Sequence, residues 1–223
     1  EAKNIQIAPL PIYHLFKGPE INQPQAKVLI GLPVDKPIIL FFGFIRPYKG
    51  LNILIDAFKI NIKNGLKAHL LIVGEFWEDK EKYLDQIQKF GLQERVKIID
   101  KYIPDDEVSV YFKGSDVFVA PYVGGTQSAA LKTALGFGLP VVATDIINDR
   151  LLETLPDRCK IVPAGDSEAL AAGVEEQLNK PLFSSLSVDK LVDRSWSAML
   201  NAVSGIPDAA KNQPERKNDK DVE

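Results

Sequence analysis

PIILFFGFIRPYKGL, residues 37–51, joins an apolar run of strand length, Pro37 to Gly43, to a turn that carries Arg46 and Lys49. Beyond the turn, Leu51, Leu54, Ile55 and Phe58 fall at i, i+3, i+4 and i+7, the stripe of an amphipathic helix. A strand without polar alternation is buried on both faces, which is the condition of a strand inside a parallel sheet covered by helices. Strand, turn and covering helix in this order make the first half of a βαβ unit.

The same unit recurs outward from this stretch. HLLIV at His69–Val73 is a second strand, with a helix expected near Lys80 to Phe90. RVKII, Arg95 to Ile99, is a shorter and more polar strand and is expected near a sheet edge. A short helix near Asp105 to Phe112 precedes the fourth strand, DVFVAP at Asp116 to Pro121, and Ser128 to Phe137 reads as the helix after it. Pro140 to Ala143 and Lys160 to Val162 are the fifth and sixth strands. The last leads into AGDSEALAAGVEEQL, where Asp166 or Ser167 can cap the helix. A final amphipathic stretch covers about Val188 to Val203. The fold class expected is α/β, a Rossmann-like doubly wound parallel sheet with C-terminal helices. Residues 1–36 read as a linker entering the domain and 37–205 as the domain. Residues 206–223 are polar and charged and read as a disordered tail.

Composition narrows the function. A chain of 223 residues, 45% hydrophobic, can bury a full core, and its formal net charge of −3 argues against nucleic acid as a partner. One cysteine and two widely separated histidines, His14 and His69, leave no expected metal site. No apolar run approaches the roughly 20 residues needed to cross a bilayer, and a reducing, cytoplasmic setting is expected. The chain begins with Glu1, so a longer or processed protein is expected.

In an open parallel sheet, ligands bind at the carboxyl ends of strands where the order reverses, here between the first and fourth strands. Unusual turns follow both. In GFIRPYKG, Gly43 permits a tight turn, Arg46 can grip phosphate oxygens bidentately and Lys49 can act as a point charge. In YVGGTQSAAL, residues 122–131, paired glycines precede Thr126, Gln127 and Ser128 at a helix start, where free amides favour an anion. Each turn alone also fits an ordinary solvated or capped loop. Their shared position at the reversal favours a ligand. Asp145 is expected to cap the turn after it, Glu75 to touch the site rim or be solvated, and Trp77 and Trp196 to pack.

FFGFIRPYKGL, LLIVGE, RVKIIDKYIPDDEV, SDVFVAPY, GTQSAALKTALGFGLPVVATD and AGDSEALAAGV occur in this order from about Ile38 to Leu178. Together they resemble the C-terminal, donor-binding domain of retaining GT-B glycosyltransferases of glycosyltransferase family four. PLPIYHLF, residues 9–16, resembles the linker that enters this domain. The resemblance implies metal-independent hexose transfer from a UDP- or GDP-linked sugar to a glycan or other acceptor, with no cofactor. It implies that Arg46 and Lys49 act on the diphosphate beside Gly43. Lys101, Tyr102 and Ile103 would receive the base, and Gly125, Thr126, Gln127 and Ser128 would sit under the phosphates and sugar. Thr133 would lie at the ribose. The acceptor would be held by an N-terminal domain absent from this sequence, and the full protein can associate peripherally with membranes.

Three departures accompany the resemblance. Gly125 and Thr133 stand where many members carry a Glu-x7-Glu pair, Arg46 lies three residues after Gly43 instead of directly after it, and IINDR lacks the usual paired glycines. A degenerate, non-catalytic nucleotide-sugar-binding or assembly module is therefore the alternative. An epimerase on the same fold would need acid and base groups that are not found near the sugar position.

Overall fold

The computed structural model describes residues 8–13, 16, 18–125, 127–147, 149–182 and 185–204, with only the backbone of residues 150, 153, 185 and 186. The expected disordered tail, Thr126 and His14 lie outside the described residues.

Six strands form one sheet: β1 (Ile38–Phe42), β2 (His69–Val73), β3 (Val96–Ile99), β4 (Val117–Ala120), β5 (Val141–Thr144) and β6 (Cys159–Val162). Their order is β3-β2-β1-β4-β5-β6, every neighbouring pair is parallel, and the reversal falls between β1 and β4. Period-two alternation divides the apolar runs between two cores. Ile38, Leu40, Leu71 and Phe118 face one, and Ile39, Phe41, Leu70 and Val119 face the other. Strand β3 is at an edge with all its residues half-buried, as its polar composition suggested.

Helices cover both faces. Leu51, Leu54, Ile55 and Phe58 of α2 (Leu51–Lys63; α1 is described below) are fully buried, and Tyr83 and Ile87 of α3 (Glu81–Lys89) join the same core. On the opposite face lie α4 (Asp105–Lys113), α5 (Ala129–Gly136) and, through Leu191, α8 (Ser185–Ser204). Helix α7 (Ser167–Leu178) packs against α2, and Asp166 caps it by accepting from the Ala169 amide at 2.9 Å. A one-turn helix, α6 (Arg150–Glu153), lies between β5 and β6.

The stretch read as a linker contains a helix, α1 (Gln23–Ile30), closed by an Asn22–Gln25 capping box and a left-handed Gly31. It packs on α4 and is tied to the sheet through Asp116. That carboxylate receives Lys27 at 2.9 Å and the Ile38 amide at 2.8 Å. Among the described residues no helix is long and apolar enough to cross a membrane.

Candidate functional site

The first turn begins where β1 ends. The Gly43 amide donates to the Val73 carbonyl at 2.9 Å with φ at +107°, a backbone state that suits glycine. The chain then continues extended beside β2: the Ile45 amide donates to Glu75 O, and the Trp77 amide to Ile45 O. A single 3-10 turn, Pro47–Lys49, closes on Gly50 at φ +67°.

The second turn is in direct backbone contact with the first. The Val123 amide donates to Tyr48 O at 2.8 Å, and a Cβ placed on Gly50 would stand 2.0 Å from Pro121 O. Gly50→Ala is therefore expected to destabilise the fold by about 3 kcal/mol, from left-handed strain plus overpacking. Gly65→Ala, at φ +94° with open space around it, is expected to cost only about 1 kcal/mol. Equal urea midpoints for the two variants would remove the contact's assigned role.

Lys49 is buried on this turn. Its Nζ lies 2.9 Å from the point where a Gly43 Cβ would be, and 5.8 Å from the Tyr122 ring. Burial, and then the nearby Arg46 cation, bring its pKa down to about 8. Arg46 is half-buried with its guanidinium carbon 4.3 Å over the Trp77 ring. Among the described residues neither cation meets a carboxylate within ion-pair distance.

Opposite Lys49 stands the start of α5. Ser128 caps it: its hydroxyl accepts from the Leu131 amide at 3.1 Å and shares a 2.9 Å hydrogen bond with Tyr122. The amides of Ala129 and Ala130, in the first helical turn, have no acceptor inside the helix. Tyr122 is a neutral phenol, its pKa pushed up to about 12 chiefly by burial. Its carbonyl accepts from Thr144 at 2.6 Å, which fixes the loop to β5.

A cavity of about 460 Å³ opens between these turns, with Gly43, Lys49, Tyr122, Gln127, Ser128 and Thr133 among its lining residues. Five residues singled out in the sequence thus meet: Gly43, Lys49, Gln127, Ser128 and Thr133. Gly125, at φ +88°, packs on the Tyr48 ring, and Arg46 stands outside the lining beside Trp77. Thr133 is buried and its hydroxyl donates to Ala129 O at 3.1 Å, so this donor is already used inside the helix.

Lys101, Tyr102 and Ile103 lie apart from the lining. Lys101 is held by Glu107 at 2.8 Å, Tyr102 is exposed, and the Ile103 side chain is in the core, which leaves backbone groups for any ligand there. Asp145 does not cap its own turn. It accepts from the Ala164 amide across the β6 loop at 3.0 Å, while Asp149 caps α6 through the Leu151 amide. His69 lies at the start of β2, at the opposite end of the strands from the cavity. Tyr48 and Tyr122, which line the cavity, were not singled out in the sequence; their positions directly beside Lys49 and Pro121 were the available signal. Trp77, expected to pack, is 53% exposed and serves as the surface under Arg46. Trp196 is half-buried and donates to Ile12 O at 3.0 Å. Among the described residues no three potential metal ligands cluster.

A sequence profile described as "Glycosyl transferases group 1" matches residues 36–180. A phosphatidyl-myo-inositol mannosyltransferase of Mycobacterium leprae is 33% identical over 149 residues, 66% of this chain and 38% of the relative. The chain thus spans 38% of the length of this relative and of its Mycolicibacterium smegmatis counterpart. Among solved structures, the C-terminal domain of a Francisella tularensis glycosyl transferase group 1 protein, LpcC, aligns with a TM-score of 0.63 at 19% identity. That alignment covers 86% of this chain and 95% of the domain. Anabaena HepE, solved in complex with UDP and glucose, aligns with a TM-score of 0.66 at 17% identity, covering 91% of this chain and 57% of that one. These structural matches show the Rossmann-like half of a GT-B fold.

Proposed function

The chain belongs to the family of glycosyl transferases group 1, and from that membership we propose that it is the nucleotide-sugar donor-binding half of a retaining, metal-independent hexosyltransferase. One observation carries the reading: Lys49, buried without a carboxylate partner among the described residues and with the Arg46 cation nearby, faces a capped helix start across the cavity. A cation buried without a counter-ion is costly to the fold and implies an anion that completes it.

A diphosphate fits that need. Lys49 and the Ala129 and Ala130 amides would meet its oxygens, and Arg46 could hold two at once. As the bond from the anomeric carbon to the β-phosphate oxygen breaks, the electron pair goes to that oxygen and the leaving group gains charge. The two cations lower the barrier by stabilising this charge, while the new bond to the acceptor oxygen forms on the same face of the sugar and the acceptor hydroxyl's proton passes to the departing phosphate oxygen. The base would lie against the backbone after β3, near Tyr102. The acceptor would be held by a further domain of a longer protein.

A specific observation favours the second reading, a binding module without catalysis: Gly125 and Thr133 supply no carboxylate to sugar or ribose. Calorimetric titration with UDP, GDP and their sugar conjugates tests both readings. The expected Kd for one diphosphate is on the order of 100 µM, about −5.5 kcal/mol, and is unchanged by EDTA. Arg46→Ala is expected to weaken it roughly tenfold, the usual size for a hydrogen bond to a charged group. Absence of binding by every nucleotide would refute both readings. Binding without transfer by the longer protein would leave the second.

A further inference from the structure

The position of Arg46, three residues after Gly43, follows from the backbone pairing that continues past the glycines. Ile45 bridges Phe76 in parallel register, and both side chains turn toward the core under α2 and α3. Alternation along an extended strand puts Phe44 and Arg46 together on the other side, with Trp77, the next residue of the neighbouring strand, on that side as well. The contacts agree: Trp77 lies 4.7 Å from the Phe44 ring and 4.3 Å from the Arg46 guanidinium carbon. Arg46 itself is extended, at φ −136° and ψ 154°, directly before the 3-10 turn that carries Lys49.

We propose that Trp77 is a positioning residue for the diphosphate site: the Phe44–Trp77 pair is a platform on which the Arg46 guanidinium is laid flat beside Lys49. A guanidinium stacked on a ring keeps its N–H groups in the plane of the stack, directed outward. The platform thus limits the rotamer freedom of a long side chain and leaves its donor edge available. Phe44 lines the cavity, which connects the platform to the site. Trp77 is 53% exposed, so replacing it with a smaller apolar residue removes only part of a large buried surface.

The inference rests on the donor-domain reading and is tested on the whole chain by UDP and GDP titration with Trp77→Leu, Trp77→Phe and Arg46→Ala. Trp77→Leu is expected to weaken diphosphate binding about two- to fivefold, the range of a partly exposed cation–π contact. Trp77→Phe, which restores a π face, should return most of this loss. In an Arg46→Ala background, Trp77→Leu should have no further effect. Both Trp77 variants should unfold cooperatively and within about 5 °C of the parent chain. An equal loss for Trp77→Leu with and without Arg46, or no loss while Arg46→Ala binds weakly, overturns the positioning role and leaves the donor-domain reading standing. No binding of either nucleotide by the parent chain overturns both.

Discussion

Lys49→Met is expected to make the chain more stable while removing its affinity for a nucleoside diphosphate. The lysine pKa falls from 10.5 to about 8 because burial penalises the ammonium and Arg46 repels it. The folded state therefore binds its proton less tightly than the unfolded chain, and a shift of this size corresponds to roughly 3 kcal/mol of destabilisation below pH 8. Between about pH 8 and 10.5 the unfolded chain holds more protons than the native one, so stability rises with pH across that window and the penalty disappears above it. Methionine retains the apolar stem and carries no charge. Its variant should gain up to about 3 kcal/mol at pH 7, roughly 5 to 10 °C in Tm for a domain of this size, and the advantage should vanish near pH 10.5.

Binding should move the opposite way. A diphosphate over Gly43 would supply the missing counter-charge, and deleting the cation is expected to cost roughly 100-fold in Kd, as for one partner of a buried charged contact. In the parent chain, affinity should be flat between about pH 7 and 8; below this range the terminal phosphate of the ligand begins to protonate. Above it, affinity should fall, because binding then requires Lys49 to take up a proton. Differential scanning calorimetry and titration at pH 7 and 9 measure both effects. A Lys49→Met chain that is less stable and binds UDP or GDP normally would refute the assignment of Lys49 to the anion site.

The fold was legible because its strands are buried on both faces: PIILFFG and DVFVAP have no polar alternation, and Leu51 to Phe58 show one helical stripe. The cationic turn was legible from residue type and from its place after β1. Four features depend on contacts that a sequence does not display. Gly50 is visibly a glycine, but nothing in the chain says that it faces Pro121 O. Trp77 read as packing because aromatic residues usually pack, whereas pairing that persists beyond Gly43 and Gly74 brings it under Arg46. Helix α1 has its capping signals at Asn22, Gln25 and Gly31, yet only three of its eight residues are buried, so its periodicity is weak. The Ile103 side chain belongs to the core, which the short run KYIP gave no means of seeing.

Lys132 is the fifth such case, and Asp149→Leu is expected to show it. In AALKTAL the lysine resembles a solvated helix residue, but its side chain is 1% exposed and its ammonium lies 2.5 Å from Asp149, itself 7% exposed. The surroundings are apolar enough to push the neighbouring Cys159 thiol up to about 12, mainly through burial. Among the described residues no aligned hydrogen-bond acceptor satisfies the ammonium, so the Asp149 charge is its main compensation. Removing one partner of a buried pair costs about 3 to 5 kcal/mol, because the remaining charge is left desolvated. Asp149→Leu should therefore lower the urea midpoint sharply. Asp149→Asn, which keeps an oxygen for the Leu151 amide, should cost nearly as much, because the charge and not the cap dominates. Lys132→Met combined with Asp149→Leu should recover most of the stability, since an apolar pair of similar volume needs no compensation. Lys132 stands four residues after Ser128, so the pair also anchors the helix whose start forms one wall of the cavity. Nucleotide affinity should accordingly fall in Asp149→Leu and return in the double variant. If the double variant is no more stable than Asp149→Leu, the destabilisation comes from the lost α6 cap, and the unusual IINDR segment has no part in holding the site.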